Sequence, residues 1–405
     1  RGTFSVGPQT ADVLIIGAGV IGASISFHLT RHGIKPLLVE KSDPAAGSSG
    51  ACDGLVFLQS KKPGLHLKLA LESRRRFDGL ADTLGKSIEF KNPGGMCLIE
   101  SEAELAAMQL SVAEQRASGL DVELIDGNEA RRREPCLSGK VIAATFSALD
   151  AQVNPYALTF AFLRAAESAG ARILTGIEAK GIEVASGKAT GVFTENRRIS
   201  ASVVVNAAGA QAAEVGRLAG LEIPITPRRG QILVTAAVPP LLRHCLISAQ
   251  YVAAKFKPEL AAAGGMGFSL EQADSGNILI GSTREFVGFD RRTTFDGIRT
   301  IARRIAPVIP ALARVPVIRT FGGLRPYTPD GLPILGKVAG LEGFIMAAGH
   351  EGDGIALSPI TGELIADLIA TGQTQFPLED FRLERLRERT AGAVSESKTI
   401  AAESV

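Results

Sequence analysis

Twelve residues near the start of the chain constrain its fold most: residues 12–23, Asp-Val-Leu-Ile-Ile-Gly-Ala-Gly-Val-Ile-Gly-Ala. Residues 13–16 are an apolar, β-branched run of the kind a buried parallel strand needs. Gly17, Gly19 and Gly22 follow in the G-x-G-x-x-G spacing, and residues 21–31 alternate as an amphipathic helix does. The first glycine permits the tight turn, the second lets a pyrophosphate approach the backbone, and the third lets helix and strand pack closely. A diphosphate would then face the positive N-terminal end of that helix. Residues 36–40 read as a second strand ending in Glu40, 18 residues beyond Gly22, close to the spacing of a carboxylate that binds ribose hydroxyls. An ordinary glycine turn would lack this order of strand, turn, helix, strand and acid. The stretch reads as a dinucleotide site.

A chain of 405 residues is long enough for two domains with sizeable cores. Its 45% hydrophobic and 21% charged composition, with 45 glycines, suits an α/β protein rich in tight turns. A net charge of +2 gives no preference for nucleic acid or membrane, and the basic run at 131–133 reads as a solvated helix face. No run of 18 apolar residues is present, so no membrane span is expected. Residues 1–10 lack the apolar centre of a signal peptide. Cys52, Cys97, Cys136 and Cys245 are scattered without a C-x-x-C pair, which argues against a zinc or iron–sulfur site within the chain and fits a reducing, cytoplasmic setting. The five histidines show no ligand spacing, and no metal site is expected.

The pattern divides the chain. Residues 10–85, 146–223 and 321–385 read as a discontinuous α/β domain of Rossmann type, and 86–145 and 224–320 as an α+β substrate domain with a mixed or antiparallel sheet. Residues 386–405 read as a flexible, polar, alanine-rich tail. Helices are expected over 66–84, from Ser101 with Glu104 three residues on, over 126–133, over 155–169 with Pro155 in the first turn, over 295–305 and over 355–370. Strands are expected at 94–99, 172–174, 179–184, 189–194, 203–206, 230–235, 277–281 and 344–347, and 254–276 reads as an irregular loop.

Residues 41–54 are small, polar and glycine-rich directly after the acid-bearing strand, so their hydroxyls and N–H groups are expected to face phosphates. Residues 203–210 are a second buried strand that ends in a small-residue turn, where another close backbone approach is expected. A flavin at the far end of the dinucleotide would need a positive charge near its N1–C2=O edge, a buried cation for an anionic substrate, and shelter from water. Residues 349–354, Gly-His-Glu-Gly-Asp-Gly, open directly into the last long helix and would supply its positive end. Arg325 sits between Leu324 and Pro326 in an apolar, proline-rigid segment. It either pairs internally, with Asp330 the obvious partner, or waits for a ligand carboxylate that suits its planar fork. Tyr327, Arg284, His350 and Glu351 are second-rank candidates, since each alone is more often a packing or surface residue.

These motifs together resemble the FAD-dependent D-amino-acid oxidase superfamily, which includes glycine oxidase, sarcosine oxidase and D-amino-acid dehydrogenases. The resemblance rests on residues 17–22 with Glu40, on 206–209 (Asn-Ala-Ala-Gly), on 323–336 and on 349–355, and so covers residues 12–370. It implies that Gly17, Gly19, Val20, Ile21, Gly22, Glu40, Lys41, Ser48, Ser49, Val184, Ala207, Gly209 and Gly323 bind FAD. It implies the same for Arg325, Gly349, His350, Glu351, Gly352, Asp353, Gly354 and Ile355, the last seven meeting the pyrimidine edge of the ring. Arg325 would clamp the substrate carboxylate, with His350 and Tyr327 also catalytic. Residues 280–290 resemble most the catalytic subunits of heteromeric enzymes: sarcosine oxidase, hydrogen cyanide synthase, D-hydroxyproline dehydrogenase and the opine oxidases. The implied reaction is hydride transfer from an unprotonated amine of an amino acid or N-substituted amino acid, with electrons passed on to partner subunits. Those partners would carry or share FMN or an iron–sulfur cluster. The four cysteines fall outside the matched segments, so a non-covalent FAD is expected. A self-sufficient glycine or D-amino-acid oxidase that reduces O₂ is the alternative enzyme, and a non-catalytic scaffold subunit the alternative of another class.

Overall fold

The computed structural model describes residues 9–256 and 267–386. The opening apolar run becomes the strand Gln9–Ile16, hydrogen-bonded in parallel on both sides. Leu37–Glu40 lies on one side (Leu14 opposite Leu37, Ile16 opposite Val39), and Arg198–Asn206 on the other (Val13 opposite Val203, Ile16 opposite Asn206). Arg172–Thr175 extends the sheet beyond Leu37–Glu40, and Leu341–Ala348 extends it beyond Arg198–Asn206, both in parallel. Side chains alternate across the pleat, so Val13 and Ile15 enter one core while Leu14 and Ile16 enter another. Both faces are covered, which explains a run that is apolar at every position.

One face carries the helices Val20–Arg31, Leu65–Phe77, Pro155–Ser168 and Gly354–Ala370. The first and last of these touch closely: a Cβ at Gly362 would lie 2.0 Å from Ser24 Oγ. The opposite core takes in the helix Ala212–Arg217, and Gly181–Ala185 and Lys188–Phe193 form an antiparallel meander that joins the sheet through Arg198–Asn206. The parallel strands end together at Ile16, Glu40, Asn206 and Ala348, so the turns that follow them meet at one edge.

The second sheet has eight strands in the spatial order Val317–Tyr327, Thr226–Thr235, Ile278–Gly281, Ser269–Gln272, Cys245–Ser248, Gly95–Ile99, Ala143–Ser147 and Glu123–Asp126. It is antiparallel except where Cys245–Ser248 runs parallel to Gly95–Ile99, so it is a mixed sheet. The Rossmann-type α/β part and an α+β part with a mixed sheet are both present. The boundary drawn at 321 falls inside the strand Val317–Tyr327, which pairs along its length with Thr226–Thr235 and hands the chain back to the first sheet.

Other elements differ in detail from expectation. The helix expected over 66–84 is two helices, Leu65–Phe77 and Leu80–Leu84, because Gly79 takes a left-handed φ of 74° between them. A helix Ala249–Phe256 and a strand Ser269–Gln272 stand where 254–276 reads as loop, and residues 257–266 of that stretch lie outside the described residues. Most of the expected tail, 387–405, lies outside them too. Among the described residues no helix is long and apolar enough to cross a membrane.

Candidate active site

A cleft of about 600 Å³ follows the carboxyl edge of the first sheet and reaches the second sheet. That volume lies within the usual range for ligand sites, about 300–1,000 Å³. At one end the glycine turn is wedged between two neighbours. Gly17 donates its N–H to Val39 O at 2.9 Å, has φ +109°, and would place a Cβ 2.6 Å from Ala207 O. The Glu40 carboxylate accepts the N–H groups of Ala18 and Ser42, both at 2.9 Å, which fixes it at the lip. Ser49 Oγ accepts the Val20 N–H at 3.0 Å, at the first turn of the opening helix. Ser48 donates to Leu324 O at 2.5 Å, so the 41–54 loop ties the first helix to the second sheet. Asn206 holds the second turn from inside, donating to Ala212 O and accepting the Ala208 N–H, while Ala207, Ala208 and Gly209 border the cleft. A helix end, two small-residue turns and a fixed carboxylate suit the diphosphate and ribose of a dinucleotide.

Arg325 dominates the other end. Its Nη1 donates to Thr283 O at 3.1 Å and its Nη2 to Ser282 Oγ at 2.5 Å, and its Nε lies 3.8 Å from Glu351 Oε1. A Cβ at residue 230 would sit 2.3 Å from Nη1, so Gly230 leaves the slot the guanidinium occupies. Burial would lower its pKa, but the neighbouring groups together, Glu351 foremost with Tyr251, Asp53 and Cys52, raise it above the ordinary value, so Arg325 stays charged. Glu351 is itself ion-paired with Arg228. Asp330, the internal partner considered from sequence, is taken by Arg385 at 2.9 Å. The Arg325 fork therefore has no bidentate carboxylate among the described residues. Gly352, Gly354 and Ile355 bring the N-terminus of Gly354–Ala370 to the same cleft.

The cleft brings together most of the expected residues: Gly17, Gly19, Val20, Ile21, Glu40, Lys41, Ser48, Ser49, Ala207, Gly209, Gly323, Arg325, His350, Glu351, Gly352, Gly354 and Ile355. Five others are placed elsewhere. Gly22 lies under the turn, where a Cβ would meet Gly17 O at 2.0 Å. Gly349 packs on Thr328 and Ile225. Asp353 turns inward to Lys61 at 2.7 Å and His66 at 3.2 Å. Val184 is 44% exposed on an outer strand, because the Ile177 N–H bonds Glu40 O and brings residues 177–180 to the lip instead. Tyr327 lies outside the cleft, its ring 5.2 Å from that of Phe286 and under the Arg228 guanidinium at 4.6 Å. His350 borders the cleft, yet its Nε2 is 3.1 Å from Thr361 Oγ1, and burial lowers its pKa to about 3. It is a neutral group at pH 7, unsuited to accept a proton there.

Sequence reasoning missed Tyr251, Asp53, Phe289 and Arg291, all of which line the cleft. Tyr251 is stacked under Arg284 at 4.1 Å, in the helix Ala249–Phe256. Cys52 also borders the cleft, and burial, with the carboxylate of Asp53 adding to it, keeps its thiol protonated well above the ordinary range. Among the described residues no group of His, Cys, Asp and Glu could hold a metal.

The family model described as DAO, FAD dependent oxidoreductase, matches residues 12–368. The chain belongs to this family. It is 31% identical to hydrogen cyanide synthase subunit HcnC of Pseudomonas aeruginosa, over 95% of this chain and 98% of that protein. It is 32% identical to glycine oxidase of Geobacillus kaustophilus, over 92% and 97%. Among solved structures, L-proline dehydrogenase from P. horikoshii superposes with a TM-score of 0.86 at 27% identity, covering 94% of this chain and 99% of that one. The chain is thus a flavoenzyme of the amino-acid oxidising class, and the cleft fits FAD on its own residues.

Proposed function

We propose that this chain is the FAD-binding subunit of a heteromeric dehydrogenase. Its substrate would be an amino acid or N-substituted amino acid of glycine, sarcosine, imino-acid or opine type, oxidised at its C–N bond. Arg325 carries this reading: a charged guanidinium at the inner end of the cleft, held by Ser282 and Thr283 with its fork unclaimed by a bidentate carboxylate. Such a group orients a substrate carboxylate and so fixes the position of the neighbouring carbon, which is where much of the rate arises. FAD, when bound, supplies the two-electron acceptor. Glu40, Ser49, Ala207 and Gly209 would hold its ribose and diphosphate, with Gly352, Gly354 and Ile355 at the ring's pyrimidine edge. The positive end of Gly354–Ala370 would favour negative charge developing there. Four free cysteines support a reducing, cytoplasmic setting.

The subunit role draws support from the likeness to HcnC, which is named as a subunit, while the likeness to glycine oxidase supports a self-sufficient oxidase. Air reoxidation of the substrate-reduced chain decides between them. Slow reoxidation by O₂ with fast reduction of an artificial acceptor is the expected result. Reoxidation by O₂ as fast as turnover would establish the oxidase.

A further inference from the structure

Among the described residues, most other buried carboxylates have a partner of their own. Asp353 has Lys61, Glu351 has Arg228, Asp330 has Arg385, and Glu134 accepts the N–H groups of Arg243 and His244. Asp53 and Glu271 are neighbours that form no ion pair among the described residues. Asp53 lines the cleft, and its Oδ2 accepts the Ser269 hydroxyl at 3.0 Å. Behind it Glu271, 6% exposed, accepts the Gly54 N–H at 2.8 Å through Oε1 and leaves Oε2 buried without a partner. The cations that face Asp53 are Arg325 and Lys61, and Lys61 is already bound to Asp353. The remaining titratable neighbours are the thiols of Cys52 and Cys245 and the phenol of Tyr251, all held neutral chiefly by burial. The Arg325 fork therefore has no bidentate carboxylate, and the nearby acid pair no ion-paired cation, among the described residues. That pattern is complementary to an amino-acid zwitterion.

We propose that Asp53, backed by Glu271, receives the ammonium group of the bound substrate and takes the proton it must lose before its C–N bond is oxidised. An N–H bond breaks, the electron pair stays on nitrogen, and an O–H bond forms on the Asp53 carboxylate. No oxidant or reductant enters this step. Burial raises the affinity of both carboxyls for a proton, and repulsion by Asp53 adds to it at Glu271, so Asp53 accepts a proton from an amine more readily than an exposed carboxylate does. Burial also keeps the pair from ionising twice, which holds Asp53 as the single charge that meets the ammonium.

The inference rests on the amine oxidation proposed above, and the test separates the two. The probe is whichever of glycine, sarcosine, L-proline or iminodiacetate bleaches the flavin of the parent enzyme, and flavin reduction is followed anaerobically against pH. Asp53→Asn keeps an acceptor for Ser269. It is expected to slow reduction at pH 7 by about 10²-fold or more, the scale of general acid–base catalysis, and to recover as the pH approaches the amine's own pKa. Its flavin content and its affinity for acetate, an amine-free carboxylate read from the visible spectrum, stay at the parent level. Glu271→Gln takes away a carboxyl that ionises at about 8 and is expected to remove the change in reduction rate that the parent shows through that pH, leaving the acid limb in place. A loss in Asp53→Asn that high pH does not restore, or a parent-like change through pH 8 kept in Glu271→Gln, overturns the proposal. If Asp53→Asn does not fold, the Glu271→Gln profile alone decides. A parent whose flavin no probe bleaches removes the oxidation reading and this proposal with it; a parent that bleaches beside unaltered variants removes this proposal alone.

Discussion

Arg325 is held from the side by Ser282 and Thr283 and touched from above by Glu351, which leaves its planar fork toward the cleft. A buried charge pair formed there with a carboxylate is worth about 2–5 kcal/mol. Arg325→Ala is accordingly expected to raise KM by about tenfold or more, and Arg325→Lys to restore only part of the loss, because a point charge replaces a bidentate fork. Steady-state kinetics check both, and an unchanged KM in Arg325→Ala would take the residue out of the site. The chemistry of Arg325 was legible from its apolar, proline-bounded setting; its partner was not. Asp330 is near in sequence, yet Arg385, 55 residues farther on, claims it, and only the fold brings those two together. Gly230, whose missing side chain houses the guanidinium, gives no sign of that role in its own sequence context.

Elements that carry their own start signals were the most legible. Ser101, Asp126 and Asn154 each accept an N–H of the first helical turn, as their positions in the sequence suggest. The parallel strands were legible too, since burial on both faces demands unbroken apolar runs. Val184 failed because strand identity does not say which end of a strand meets a ligand; the bond from Ile177 to Glu40 settles that at the tertiary level. Tyr251 was hidden because it lies in the first turn of a short helix, Ala249–Phe256, whose place comes from the sheet behind it. The contact between Val20–Arg31 and Gly354–Ala370 supports both ends of the cleft, since each helix presents its N-terminus there. Gly362→Val is expected to push these helices apart against Ser24, cost about 1–3 kcal/mol by overpacking, and lower the melting temperature together with flavin retention. Thermal unfolding and the visible spectrum measure the two effects. Full stability in this variant would mean that the helices do not meet as closely as described.

At the scale of the whole molecule, the cleft is lined by residues of both sheets, so FAD bound there would stabilise the chain by mass action. At a concentration 100 times its Kd that amounts to about 2.7 kcal/mol. FAD is expected to raise the melting temperature of the flavin-free chain, whereas FMN, which has no adenosine half for Glu40, raises it much less. Equal shifts would remove Glu40 from the site. Stability also depends on pH through Glu271, whose carboxyl is raised from 4.5 to about 8, chiefly by burial. Its proton is held more tightly when folded, so this contribution is fully present below about 4.5 and lost as the pH rises to about 8. Glu271→Gln should therefore gain in melting temperature relative to the parent across that window, by several degrees at its upper end, and a constant difference would contradict the buried acid. The central claim, that this cleft oxidises the C–N bond of an amino acid with FAD, is tested most directly by the anaerobic visible spectrum of the purified chain. The spectrum is recorded before and after adding glycine, sarcosine, L-proline, iminodiacetate and further N-substituted amino acids. A flavin spectrum that at least one of them bleaches is the expected result. A chain that holds no flavin after reconstitution with FAD, or a flavin that none of them bleaches, would contradict it.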